Sequence, residues 1–176
     1  MHDELLKKYY FINSFDTNII NKQDKRTTFI YRDYKTSKFD TKKILKLKNF
    51  LKRRGNKFLL ANNFKMALKF KLDGVYLPSF NNKFDHLNYS TYSNFTILGS
   101  AHNLREIRLK ETQKVNQIFI SSLFKKNKNY LGLYKFIKLE KLTNTATIAL
   151  GGINKKNIRR LVFTKCVGFA GISYFN

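Results

Sequence analysis

The chain has 176 residues, 43% of them hydrophobic and 26% charged, with a formal net charge of +24 at pH 7. That length suits one domain, residues 1–176, with a full core, and the apolar share excludes a disordered tail. A lone cysteine, Cys166, excludes a disulfide framework or a cysteine metal site within the chain, and no run approaches the ~18 apolar residues of a membrane-spanning helix.

Apolar runs of strand length recur along the chain: Tyr9–Ile12, Thr28–Tyr31, Phe58–Ala61, Gly74–Leu77, Phe95–Leu98, Gln117–Ile120, Ala146–Ala149 and Gly168–Ile172. They are continuous rather than alternating, as strands buried on both faces are. Between the first two runs, Asp16–Arg26 is a shortened connection. Asp40 caps a helix with Ile44, Leu47, Phe50 and Leu51 on one face, and Gly55 ends it. Phe64, Ala67 and Leu68 repeat at helical spacing, and Phe80–Asn94 reads as irregular. Asn103 and Glu106 form a capping box for a helix carrying Leu104 and Ile107. Past Gly152, Asn154 is placed to cap a helix carrying Ile158, Leu161 and Val162. Strand followed by helix, repeated, means a parallel α/β sheet, and eight strands predict a compact (β/α)8 TIM barrel with some shortened helices. A doubly wound open sheet is the alternative. No Gly-x-Gly-x-x-Gly follows an early run, which argues against its dinucleotide-binding version.

Two runs end in small residues, at Ala149-Leu150-Gly151-Gly152-Ile153-Asn154 and Gly168-Phe169-Ala170-Gly171-Ile172-Ser173. Strand ends of this kind approach an anion through bare backbone N–H groups, and a helix starting at Asn154 would add its positive end. A phosphate site is expected here. The net positive charge is spread over nearly every polar segment, with Lys, Asn, Ile and Phe abundant together, as an A+T-rich genome would write them. It reads as solvated lysines that concentrate a phosphorylated ligand, with a nucleic-acid surface as the alternative. The 10 tyrosines and 17 phenylalanines divide the same way, into core or stacking platforms, and most fall on strand runs or apolar helix faces. Met1–Lys8 is too polar for a signal peptide, so a cytoplasmic location is expected. Nothing in the residues fixes an oligomeric state.

Asp73-Gly74-Val75-Tyr76-Leu77, Leu98-Gly99-Ser100-Ala101-His102, Ile148–Ile153 and Gly168–Ser173, in that order and spacing, resemble the thiamine-phosphate synthase/TenI family from about Lys8 to Asn176. The resemblance implies a (β/α)8 barrel of thiamine biosynthesis. It also implies a transferase reaction, in which a hydroxymethylpyrimidine diphosphate ionises with Mg2+ help and a thiazole phosphate captures the cation. TenI-type members bind a thiazole phosphate in the same pocket. By resemblance, Gly152, Gly171, Ile172 and Ser173, with Gly151 beside them, cradle the thiazole phosphate. Arg32 stands for the family arginine of the second strand, Ser100 for a serine facing the diphosphate, and Tyr76 lines the pocket where a histidine is frequent.

Departures from the family pattern are equally specific. Both acidic Mg2+ positions carry amides, Asn62 and Asn81, and two neutral amides do not replace the charge that holds a hard dication. No residue is assigned as a metal ligand. Ile30 and Tyr34 stand where the family has a glutamine and a lysine. After the sixth run the family threonines are absent, and Lys125, Lys126 and Lys128 are left to grip a phosphate electrostatically. Ser122 replaces the histidine of the isomerases. His102 is then the nearest general acid or base, unless its ring merely closes the turn into the next helix. Asp33 is expected to pair with Arg32 or face the mouth as a base, Asp73 to hold a turn, and His86 to be exposed.

Overall fold

The eight apolar runs become eight parallel strands in a computed structural model that describes residues 5–34, 40–171 and 174. The strands are Lys7–Ile12 (β1), Thr28–Tyr31 (β2), Phe58–Ala61 (β3), Gly74–Leu77 (β4), Thr96–Ala101 (β5), Gln117–Ile120 (β6), Ala146–Leu150 (β7) and Gly168–Ala170 (β8). Each pairs with the next, and β8 returns to β1 through Lys7↔Gly168, Lys8↔Phe169 and Tyr9↔Ala170, closing a barrel. The expected TIM-type architecture is the one that forms.

Side chains on a strand alternate between faces, so a closed sheet needs two cores. Tyr9, Ile30, Leu59, Tyr76, Leu98, Phe119, Ile148 and Ala170 come from all eight strands and pack together, which only the barrel interior permits. Their chain neighbours, among them Tyr10, Phe29, Leu60, Val75 and Ile118, pack outward against the helices. Both faces are buried, and for this reason the runs are continuous. Gly74 and Gly168 keep adjacent strands close: a Cβ would stand 2.0 Å from the Thr96 carbonyl oxygen at Gly74 and 2.5 Å from the Lys7 carbonyl oxygen at Gly168.

The outer layer holds Thr17–Asn21 (α1), Thr41–Arg54 (α2), Phe64–Lys69 (α3), Leu104–Thr112 (α4) and Gly132–Lys141 (α5). Asp40 accepts from the Lys43 N–H to cap α2, and Gly55, at φ 77°, ends it. Ile44, Leu47 and Leu51 are buried, with Phe50 packed beside the core. The shortened connection is the five-residue α1, and the irregular one is a single 3-10 turn, Asp85–Asn88. α5 is a helix that no cap announces, because Leu131 at its start makes no capping bond. On α4, Asn103 caps by accepting from the Glu106 N–H, while the Glu106 carboxylate accepts from the Asn103 side-chain amide and the His102 N–H, and Leu104 is exposed.

The segment after β7 differs from expectation. The Asn154 carboxamide oxygen accepts from the N–H groups of Lys156 and Asn157, making a local turn, and the chain then enters a 3-10 helix at Ile158–Phe163. Ile158 and Leu161 are buried, whereas Val162 points to solvent. No α-helix dipole therefore starts at Asn154.

One buried amide organises the barrel's other end. The Asn56 side-chain N–H2 donates to the carbonyls of Asp24, Lys25 and Thr27 at 3.1, 2.8 and 3.0 Å, while its oxygen accepts from Arg54 at 3.1 Å. Asn56→Ala should lower the urea-unfolding free energy by about 2–3 kcal/mol, because the buried acceptors lose their donor. A loss below about 0.5 kcal/mol would contradict this account of the turn.

Candidate functional site

At the C-terminal ends of the strands, an aromatic floor closes the barrel interior. Phe11 meets Tyr76 edge-on at 5.2 Å and Phe119 at 5.5 Å, and Tyr76 meets Phe119 at 5.7 Å. Arg32, just past β2, lays its guanidinium 4.8 Å over the Phe11 ring, and its N–H donates to the Ile12 carbonyl at 2.7 Å. A cavity of about 240 Å³ opens beside it, lined by Phe11, Asn13, Ser14 and Arg32 among others. The Tyr76 hydroxyl donates to the Ser100 hydroxyl at 2.8 Å, and both residues are buried. Burial pushes the Tyr76 phenol up, against smaller opposing pulls from the Ser100 bond and Arg32, so it stays a neutral donor at pH 7. Ser100 lies inside β5 rather than beyond it.

The turn after β7 brings its backbone close against the loop after β6. Gly151 and Gly152 have φ of 104° and 74°, and added Cβ atoms would stand 2.5 Å from the Ser122 hydroxyl and the Lys125 nitrogen. The loop after β6 packs onto this turn, with the N–H groups of Phe124 and Lys125 donating to the Gly151 carbonyl at 2.8 and 3.2 Å. Asn157 holds the Gly152 carbonyl at 2.8 Å. The N–H groups of Gly151, Gly152 and Ile153 donate to no acceptor among the described residues. Successive backbone donors left open in this way are the arrangement that anion-binding concavities use.

The remaining expected site residues scatter. Gly171 packs against the Ile153 carbonyl, and Ile172 and Ser173 lie outside the described residues. Lys125 adjoins the glycine turn through its backbone; Lys126 and Lys128 are exposed on the same loop. Ser122 is buried and donates to the Lys125 carbonyl at 2.9 Å, so it shapes the loop. His102 points its Nδ1 at Glu106 Oε2, 2.9 Å away, and its N–H donates to the same oxygen at 2.7 Å. It is thereby part of the α4 cap, and it does not line the cavity that holds Arg32. Asp73 holds its turn by accepting from the Phe58 N–H at 2.8 Å. His86 is buried, not exposed: its Nε2 bonds to the Gln113 carbonyl at 2.8 Å and its ring tilts against Phe64.

The residues at the family's Mg2+ positions do not fit the ion. The Asn81 side-chain N–H2 donates to the Asn62 oxygen at 2.6 Å, which joins the two amides. The Asn81 oxygen accepts from the Lys83 N–H at 2.9 Å. No cluster of three or more His, Cys, Asp or Glu able to hold a metal occurs among the described residues. Hard dications are held by charged oxygen donors, and this pair supplies none.

A further group of residues, which no motif announces, positions Asn81. Lys110 is 0% exposed and donates to the Asn81 carbonyl and to Gln113 Oε1, both at 2.8 Å. Gln113 in turn donates to the carbonyls of Asn81 and Lys83 at 3.1 and 2.8 Å. The sequence signal was a lysine three residues past Ile107 on the buried face of α4. Lysine is almost never fully buried without partners, so its position there points to a clamp.

A family model described as thiamine monophosphate synthase matches residues 19–175. The chain is similar to the thiamine-phosphate synthase of Methanococcus vannielii, at 25% identity over 124 residues, covering 66% of this chain and 58% of that protein. It is similar to the thiamine-phosphate synthase of Prochlorococcus marinus subsp. pastoris at 32% identity over 129 residues, covering 68% of this chain and 35% of that protein. The chain therefore spans less than two thirds of the length of these curated relatives. A thiamine phosphate pyrophosphorylase from Pyrococcus furiosus shares the fold with a TM-score of 0.75, covering 96% of this chain and 86% of that one at 21% identity.

Lys110 gives the site a pH signature. Burial draws its ammonium down to about 8 from 10.5, against a smaller upward pull from Glu106. Between those values the unfolded chain holds a proton that the folded chain has shed, so stability rises with pH there. The stability of the natural chain minus that of Lys110→Met should climb from pH 8 to about pH 9.5, by at most about 1.4 kcal/mol per pH unit in urea titrations. A flat difference would contradict the assignment.

Proposed function

Because the chain belongs to the thiamine monophosphate synthase family, we propose that its barrel mouth binds a thiazole phosphate in the cytoplasm, as a thiamine-phosphate synthase-like protein of thiamine biosynthesis. The observation that carries this reading is the turn Gly151–Ile153, whose open N–H groups sit beside a lysine-bearing loop. Backbone donors fix the phosphate, and Lys125 adds charge without needing an ion pair. The heterocycle then rests toward the aromatic floor, where Phe11 and Arg32 offer a ring and a cation. Ser100, held by Tyr76, offers a hydroxyl to the partner diphosphate.

Coupling would break the pyrimidine methylene C–O bond, release diphosphate and form a C–N bond to the thiazole. A second reading, favoured by the Asn62–Asn81 amide pair, is a barrel that keeps phosphate recognition and has lost the coupling. The two readings share the cradle and part at turnover.

Thiazole phosphate at ~100-fold excess over Kd should stabilise the chain by about 2.7 kcal/mol, read as a rise in Tm. Gly152→Ala should abolish that rise, since its Cβ would stand 2.5 Å from the Lys125 nitrogen; circular dichroism checks that the variant folds. Thiamine phosphate formed from the two substrates would establish the synthase reading. A Tm rise without product would establish binding alone, and no Tm rise would contradict both.

A further inference from the structure

Opposite the mouth, the strands begin around a second cavity of about 350 Å³. Five of its polar lining residues come from one layer of positions, each two residues before an interior core residue. Lys7 precedes Tyr9, Thr28 precedes Ile30, Lys57 precedes Leu59, Thr96 precedes Leu98 and Gln117 precedes Phe119. Bulky branched side chains ordinarily fill such a layer. Here four strands and the residue just before β3 instead supply two cations, two hydroxyls and an amide.

The charge there is uncompensated. Lys25 and Arg26 join Lys7 and Lys57 around the cavity. Arg26 pairs with Asp24 at 3.4 Å, whereas Lys7, Lys25 and Lys57 have no anionic partner among the described residues. Cations gathered round one concavity repel each other, and an anion removes that cost. The arrangement is also preorganised. Asn56 pins the turn that carries Lys25 and Arg26, and Asp24 Oδ1 accepts from the Arg26 N–H at 2.8 Å. Gln117 is oriented by the Tyr9 hydroxyl, which donates to its Oε1 at 2.7 Å and leaves its N–H2 available as a donor. Tyr9, Leu59 and Leu98 form an apolar floor.

We propose that this end of the barrel is a binding site for a small polyphosphorylated molecule with an apolar or aromatic body, separate from the phosphate cradle at the mouth. Phosphates meet Lys7, Lys25, Arg26 and Lys57, and the organic body lies on the Tyr9–Leu59–Leu98 floor. A concave cavity of this size favours a compact ligand over the extended backbone of a nucleic acid.

Isothermal titration calorimetry of the full chain with ADP as probe tests the site. One saturable site is expected. The double variant Lys25→Ala/Lys57→Ala should weaken it by at least about tenfold, since each cation makes a charge-assisted contact. Both side chains are exposed, so the fold should persist, and Lys57→Arg should retain binding. Arg32→Ala, at the mouth, and Lys135→Ala/Lys138→Ala, on exposed positions of α5, should each leave the ADP affinity within about twofold. Absence of ADP binding would overturn the proposal. So would an equal loss in the α5 variant, which would mean general surface charge, or an equal loss in Arg32→Ala, which would place ADP at the mouth. Tighter binding of a single-stranded RNA that displaces ADP and depends on the same lysines would replace it with a nucleic-acid surface.

Discussion

The molecule depends on the aromatic packing inside its barrel. Tyr9, Phe11, Tyr76 and Phe119 contact one another edge-on or tilted at 5.2 to 5.7 Å and block the channel that eight strands would otherwise enclose. Edge-to-face rings add about 0.5–1.5 kcal/mol per pair beyond burial. The same rings build both ends of the barrel. Phe11 carries Arg32 on the mouth side, Tyr76 fixes Ser100, and Tyr9 aims Gln117 at the opposite end. Neither cavity is independent of this plug.

The fold was largely legible, because strands buried on both faces leave uninterrupted apolar runs, and seven of the eight expected runs overlap a strand in full or nearly so, with β5 continuing on through Ser100 to Ala101. Caps were legible where side chains made them, at Asp40 and Asn103. α5 was not, since its start has no capping side chain, and the segment after Asn154 misled because the same amide that caps a helix also closes a local turn. The site was legible only in part. Glycines at 151 and 152 announced a close approach, whereas the partner that approaches, the Ser122–Lys125 loop, is distant in sequence. His86 looked exposed because its neighbours are polar, and burial there comes from contacts with Phe64 and Gln113.

Asn62, Asn81, Lys110 and Gln113 form a connected set. Asn62 and Asn81 are neutral amides joined by a hydrogen bond, and Lys110 brings a cation under the same loop. A buried ammonium beneath Asn81 would pair well with a carboxylate, yet here it donates to a carbonyl and an amide. The Asn62–Asn81 pair is thus tied through the Asn81 carbonyl to the buried Lys110 and Gln113 beneath the loop after β4. At the glycine turn, by contrast, two residues of positive φ and three open N–H groups are what the proposed phosphate site rests on.

The central claim is that backbone N–H groups after β7 hold the ligand's phosphate. Amide nitrogen–proton correlation spectra of the chain titrated with thiazole phosphate address it most directly. The largest saturable shifts should fall on Gly151, Gly152 and Ile153, with smaller ones near Arg32. Shifts that leave those three amides unmoved while others respond would contradict it.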